Sequence, residues 1–154
     1  MRKDGTLIKI LIADDDQDDQ LLIRKALKSG RLVNQVKFVD NGEMLMDYLY
    51  RKGDYEELSG EPLPGLILLD LNMPVMDGRE ALKEIKTDKA LRKIPVVVLT
   101  TSKAEEDILK TYDLGVNSFI TKPVTFESLS SVLRATTNYW FEIVELPSEV
   151  QTFA

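Results

Sequence analysis

Short, unbroken apolar runs alternate with stretches of helical periodicity along the chain, and this alternation leaves few folds open. Ile8 to Ala13, Gln35 to Val39, Leu66 to Leu71, Pro95 to Leu99 and Ser118 to Thr121 read as strands. The run from Leu66 is apolar at consecutive positions until Asp70, the pattern of a strand covered on both faces. Between the runs, residues 18–29, 43–52, 78–87 and 104–113 read as helices. Leu22, Ile23, Ala26 and Leu27 show the spacing in the first of them. Gly30, the turn Asp40-Asn41-Gly42 and Gly115 act as stops. The stretch Gly53 to Gly65, with its prolines and glycines, reads as a surface loop, and a longer last helix is predicted from Phe126 to about Val144. The order βαβαβαβαβα implies an α/β fold, a doubly wound five-stranded parallel sheet with helices on both faces and right-handed crossovers. Residues 1–146 are expected to form one domain with an extended last helix, followed by a tail over 147–154.

Composition narrows the chemistry. The net charge of −6 argues against nucleic acid as the main partner, because a phosphate backbone needs a basic face. The chain has no cysteine and no histidine, so a thiol nucleophile, an imidazole base and soft metal sites are excluded. Any metal must be held by oxygen, which favours a hard cation such as Mg²⁺. No segment approaches the roughly 18–20 apolar residues of a membrane span. The apolar run after Arg2 and Lys3 is interrupted by Lys9 and passes directly into Asp14, Asp15 and Asp16, which is too short and too acidic for a secretion signal. A cytoplasmic protein is expected.

Polar residues stand where the predicted strands end: Asp14 to Asp16 after the first, Asp70 at the third, Thr100 after the fourth and Lys122 after the fifth. Open α/β sheets bind ligands beyond the carboxyl ends of their strands. Carboxylates about 4–6 Å apart repel by about 3–4 kcal/mol per pair at an effective dielectric near 20. Lys122 would offset one such charge, and a divalent cation two more. The same cation, with Lys122 and the Thr100 hydroxyl, would bind the oxygens of an incoming phosphoryl group. Asp70 would then be a nucleophile that forms an acyl phosphate. Asp16, Asp18 and Asp19 read as a solvated helix cap and first turn.

The segments ILIADDD, LILLDLNMPVMDG, PVVVLTT and FITKP, in this order and spacing, resemble the signatures of CheY-like response-regulator receivers over residues 7–135. The resemblance implies the flavodoxin-like strand order 2-1-3-4-5. It implies Asp70 as the phosphorylated residue and Asp14 and Asp15 as the acidic pair for Mg²⁺, with Asp15 the more direct ligand and the Asn72 backbone carbonyl completing the protein's share. It further implies Thr100 as the switch hydroxyl and Phe119 as the aromatic that follows it. Lys122 is the signature lysine, joined to Pro123 by a bond that is typically cis. The loop GDYEELSGEPLPG and the ending NYWFEIVELP look, more particularly, like standalone receivers that partner bacterial phytochromes, some of which pair through their C-terminal face. The partners implied are a sensor histidine kinase and a downstream protein or phosphorelay component, with no membrane and no nucleic acid.

Two other functions compete. Haloacid-dehalogenase-type phosphohydrolases also use a strand-end aspartate, but their D-x-D supplies a general acid where this chain has Asn72, and an amide cannot cycle that proton. A pseudo-receiver that binds without being phosphorylated is disfavoured because every expected polar residue is present. The chain is therefore read as a switch and not as an enzyme. Tyr139, Trp140 and Phe141 are consecutive, so they cannot all face the core from one helix, and a contact surface is favoured for them.

Overall fold

The computed structural model describes residues 9–29, 36–101, 104–123 and 125–140. The elements run β1 (Ile10–Ala13), α1 (Gln17–Ser29), β2 (Val36–Val39), α2 (Gly42–Tyr50), β3 (Leu66–Leu69), α3 (Gly78–Thr87), β4 (Val96–Thr100), α4 (Glu105–Asp113), β5 (Ser118–Thr121) and α5 (Phe126–Asn138). All strand pairs are parallel and the order is β2-β1-β3-β4-β5.

Side chains alternate across each strand, and this period of two builds two apolar layers. Leu11, Ala13, Ile67, Leu69, Val96 and Val98 face α2 and α3, where Leu45, Leu49, Leu82 and Ile85 close the layer. Ile10, Ile12, Leu66, Leu68, Val97 and Leu99 face α1 and α5, against Ile23, Ala26, Leu27, Leu129 and Leu133. Each fully buried aliphatic side chain contributes about 1.5–3 kcal/mol. Helix α4 is the exception: Thr111 is its one buried residue, and it lies along β5.

Three expectations are corrected. Gly42 is not a turn residue but the first residue of α2, capped by the Asn41 side chain on the Met44 N–H. A Cβ there would stand 2.2 Å from the Met76 carbonyl oxygen, so glycine is required by close approach. The loop after α2 is partly ordered as a 3-10 helix, Gly53–Leu58, entered through Arg51 at φ 56°. Arg51 holds the far side of this loop by donating to the carbonyls of Glu61 and Pro62, and it stacks over the Tyr48 ring at 4.9 Å. The described residues contain no cis peptide bond, so Lys122–Pro123 is trans. The expected ends at Ile8, Gly30 and Gln35, the last helix beyond Trp140 and the tail lie outside the described residues.

Candidate functional site

The backbone ladder runs one residue past the strand ends and fixes the site. The Asp14 N–H donates to the Val39 carbonyl at 3.1 Å, the Asp70 N–H to the Ala13 carbonyl at 3.0 Å, and the Lys122 N–H to the Thr100 carbonyl at 2.7 Å. Ala13 pairs with Leu69 and Leu69 with Val98, whereas β4 and β5 end together two residues further on at Thr100 and Thr121, and Asp14, Asp70, Thr100 and Lys122 open on one crevice. The loop after Asp70 is backed by Gly78, where a Cβ would sit 2.3 Å from the Asp70 carbonyl oxygen. The glycine of LNMPVMDG thus lets α3 start against the backbone of the acid.

The side chains converge. Lys122 Nζ donates to Asp14 Oδ2 at 2.7 Å, to Asp19 Oδ2 at 2.7 Å and to Asp70 Oδ2 at 3.2 Å. Thr100 Oγ1 donates to Asp70 Oδ1 at 2.8 Å, and the Asn72 N–H donates to the same oxygen at 3.1 Å. Asp14 Oδ1 accepts the Asp16 N–H at 2.9 Å. Asp14, Asp70 and Thr100 are buried, whereas Asp15 and Asn72 are exposed. Ligand oxygens of Asp14, Asp15 and Asp70 all lie within 4.8 Å of one another.

Burial pushes the Asp14 carboxyl up to about 6, against the pull of the Lys122 hydrogen bond, and the charge on Asp70 adds to the rise. Burial also opposes the charge on Lys122, but its bonds to Asp14 and Asp19 outweigh that cost and hold its pKa above the ordinary lysine value. Three carboxylates, those of Asp14, Asp19 and Asp70, therefore share a single ammonium, and a fourth, Asp15, lies within 4.8 Å of Asp14 and Asp70. Hard oxygen donors in that balance fit a divalent cation at Asp14, Asp15 and Asp70.

Two contributors escaped the sequence. Asp19 is not merely a solvated first-turn acid; it is an ion-pair partner of Lys122. Its neighbours behave as expected, since Asp16 Oδ1 caps α1 by accepting the N–H groups of Asp18 at 2.8 Å and Asp19 at 3.3 Å. Gln20, buried, donates to the Asp14 carbonyl at 2.6 Å and to Asp40 Oδ1 at 2.8 Å, so it ties α1 to the ends of β1 and β2. A polar residue on the inward face of α1, six residues beyond Asp14, was the available signal. Phe119 is half-buried in β5, paired in register with Val98. Its N–H donates to the Tyr112 hydroxyl of α4 at 3.2 Å.

A sequence profile of the response regulator receiver domain matches residues 10–134. The chain is 40% identical over 139 residues to the response regulator Rcp1 of Synechocystis sp., covering 90% of this chain and 92% of that protein. The crystal structure of the phosphorylated cyanobacterial phytochrome response regulator RcpA superposes with a TM-score of 0.86 at 41% identity, covering 92% of this chain and 99% of the other. The Mn²⁺-bound form of Rcp1 superposes with a TM-score of 0.83 at 39% identity, covering 91% and 99%. Among the described residues no helix is long and apolar enough to cross a membrane.

Proposed function

The chain belongs to the response-regulator receiver family, and from that premise we propose that Asp70 accepts a phosphoryl group from a histidine kinase and that the resulting charge changes the surface offered to a partner. The observation that carries this is the convergence on Asp70 of Lys122 at 3.2 Å, Thr100 at 2.8 Å and the Asp14–Asp15 pair. The receiver unit is taken as residues 1–146, in the cytoplasm.

Asp14, Asp15 and Asp70, with the Asn72 carbonyl, would hold Mg²⁺, which supplies positive charge against the phosphoryl oxygens. The chain's own groups do the rest. Phosphoryl transfer needs a placed nucleophile and a prepared field more than covalent assistance. The ladder bond to Ala13 and the close Gly78 backing fix Asp70 from behind. Lys122 and the Thr100 hydroxyl, now on Asp70, turn to phosphoryl oxygens once the new bond forms. Withdrawal of Thr100 toward the site leaves room beside β5, which Phe119 takes up. Phosphorylation can shift these states only by stabilising one of them differentially.

The kinase is proposed to be a bacterial phytochrome, since RcpA is a cyanobacterial phytochrome response regulator. A homodimer through the C-terminal face belongs to the same proposal, supported by Tyr139, which is 48% exposed and stacks edge-on with Trp140 at 5.2 Å. Incubation with acetyl phosphate and Mg²⁺ is expected to give a base-labile adduct of one phosphoryl group by mass spectrometry, and Asp70→Asn to give none. Steady turnover of the donor without an adduct would instead point to a hydrolase. Phosphotransfer profiling against purified histidine kinases tests the partner, and sedimentation with and without beryllofluoride tests the dimer.

A further inference from the structure

We propose that Asp19 is a positioning residue that holds Lys122 in competition with the phosphoryl group, and so restrains the phosphorylation of Asp70, given Asp70 as the acceptor proposed above. An ammonium has three N–H donors, and in this structure each meets a carboxylate. The bonds to Asp14 and Asp19 are both 2.7 Å, whereas the bond to Asp70 is 3.2 Å. The lysine is thus drawn toward the α1 side of the crevice and away from the acceptor.

Transfer changes this balance. A carboxylate oxygen of Asp70 forms a bond to phosphorus while the bond from phosphorus to the donor's leaving oxygen breaks. The electron pair departs with the leaving group, which for acetyl phosphate is acetate and takes up no proton. A dianionic phosphoryl group then stands where only a carboxylate stood, and as the N–H of Lys122 now on Asp70 turns to it, the ammonium is drawn off the α1 side, against its two 2.7 Å bonds. The side chain of Lys122 is 9% exposed, so water is not at hand as a spare partner. Releasing Asp14 would take the ammonium from a carboxylate with 2% side-chain exposure, where water cannot readily replace it. The Asp19 side chain is 32% exposed and can be rehydrated when it lets go. Of the two bonds that resist this shift, the one to Asp19 is therefore released at least cost. Until it is released its charge repels the incoming dianion, because it lies within about 6 Å of the acceptor through the nitrogen they share. The Asp16 cap on the Asp19 N–H fixes this carboxylate to the first turn of α1, so the restraint is built into the helix and not into the sheet.

The test uses the full chain, acetyl phosphate and saturating Mg²⁺, with adduct formation followed by mass spectrometry. Asp19→Ala is expected to raise the rate by about fivefold, the equivalent of one half-exposed ion pair. It is also expected to tighten beryllofluoride binding by a similar factor. Asp19→Asn, which keeps the shape and a neutral acceptor, should fall between, and Asp19→Glu should return the rate to within about twofold of the wild type. Asp18→Asn removes a charge from the same helical turn without touching Lys122 and should leave the rate unchanged. A merely structural role for Asp19 would lower thermal stability and leave rate and beryllofluoride affinity alone, which would overturn the inference. An equal rise in Asp18→Asn would overturn it too, by reducing the effect to net charge. If the wild type forms no adduct, the acceptor proposal falls and this inference with it. If the wild type forms one and Asp19→Ala does not accelerate it, only the inference falls.

Discussion

At the scale of single residues, the site is a place where burial works against charge. Asp14 is 1% exposed and its carboxyl is pushed up from an ordinary 3.8 to about 6. A carboxyl whose folded pKa exceeds its unfolded one favours the fold when protonated. Its contribution is complete below about 3.8 and is lost as pH rises through about 6. The metal-free protein is therefore expected to lose stability across that window, on the order of 2 kcal/mol from this group, allowing for solvent at the open side of the crevice. Mg²⁺, held at Asp14 as proposed, would take the place of the proton, so urea unfolding at pH 4.5 and 7.5 should show the loss without Mg²⁺ and its disappearance with it. Val75 carries a second local cost. It sits at φ 68°, with the Met76 N–H bent back to the Pro74 carbonyl at 2.7 Å, a tight turn that a β-branched residue adopts only under strain. Its side chain is 74% exposed, so little burial is lost on replacement. Val75→Asn is expected to stabilise by about 1 kcal/mol, read as a higher urea midpoint at unchanged slope. Neither the strain at Val75 nor the bond from Asp19 to Lys122 was legible in the sequence. Positive φ at Val75 follows from how α3 must start beneath Asp70. The bond from Asp19 to Lys122 depends on how α1 leans over the end of β5. Asp14, Asp70, Thr100 and Lys122 were legible because a strand's end is set by its own apolar run.

At the scale of elements, the sheet and four helices are held by apolar layers, whereas α4 is held by polar ties. Arg79 at the start of α3 donates Nε and Nη2 to Asp107 of α4 at 2.8 and 2.7 Å, and Nη1 to its own cap residue Asp77 at 3.1 and 3.0 Å. The Asp107 bond first, then Asp77, holds the guanidinium pKa above its ordinary value. The second tie is the Tyr112 hydroxyl on the Phe119 N–H. A lysine cannot reproduce a two-toothed grip on a carboxylate. Arg79→Lys is therefore expected to cost about 1 kcal/mol and to speed amide exchange in 105–113, while 81–85 stays protected, as hydrogen-exchange mass spectrometry can resolve. The helix and strand order was fully readable, and the observed bounds fall within a residue or two of the expected ones where they are described. Gly42 was misread because a glycine after Asp-Asn signals a turn equally well. Its true reason, the carbonyl of Met76 at its back, is a tertiary contact with no local trace.

At the scale of the whole molecule, stability and the proposed function are pulled apart by the same charges. The two apolar layers are complete without the crevice, and none of Asp14, Asp70, Thr100 and Lys122 belongs to them. The fold therefore carries the acidic cluster as a cost, offset in part by Lys122. Asp70 holds the longest of the three Lys122 bonds, and its other oxygen is served by Thr100 and Asn72. Asp70→Asn keeps the oxygen facing Thr100 and Asn72 and gives up only that long bond, since Lys122 retains Asp14 and Asp19. It also removes one like charge from beside Asp14. The substitution proposed to abolish phosphorylation is thus expected to stabilise the metal-free protein at neutral pH by about 1 kcal/mol. With saturating Mg²⁺ the order should narrow or reverse, because the wild type then gains binding energy that the variant has weakened. Thermal unfolding of both proteins, with Mg²⁺ and with a chelator, measures the crossing directly. A variant less stable than the wild type under chelation would mean that Asp70 is held by its hydrogen bonds more than it is strained by its charge.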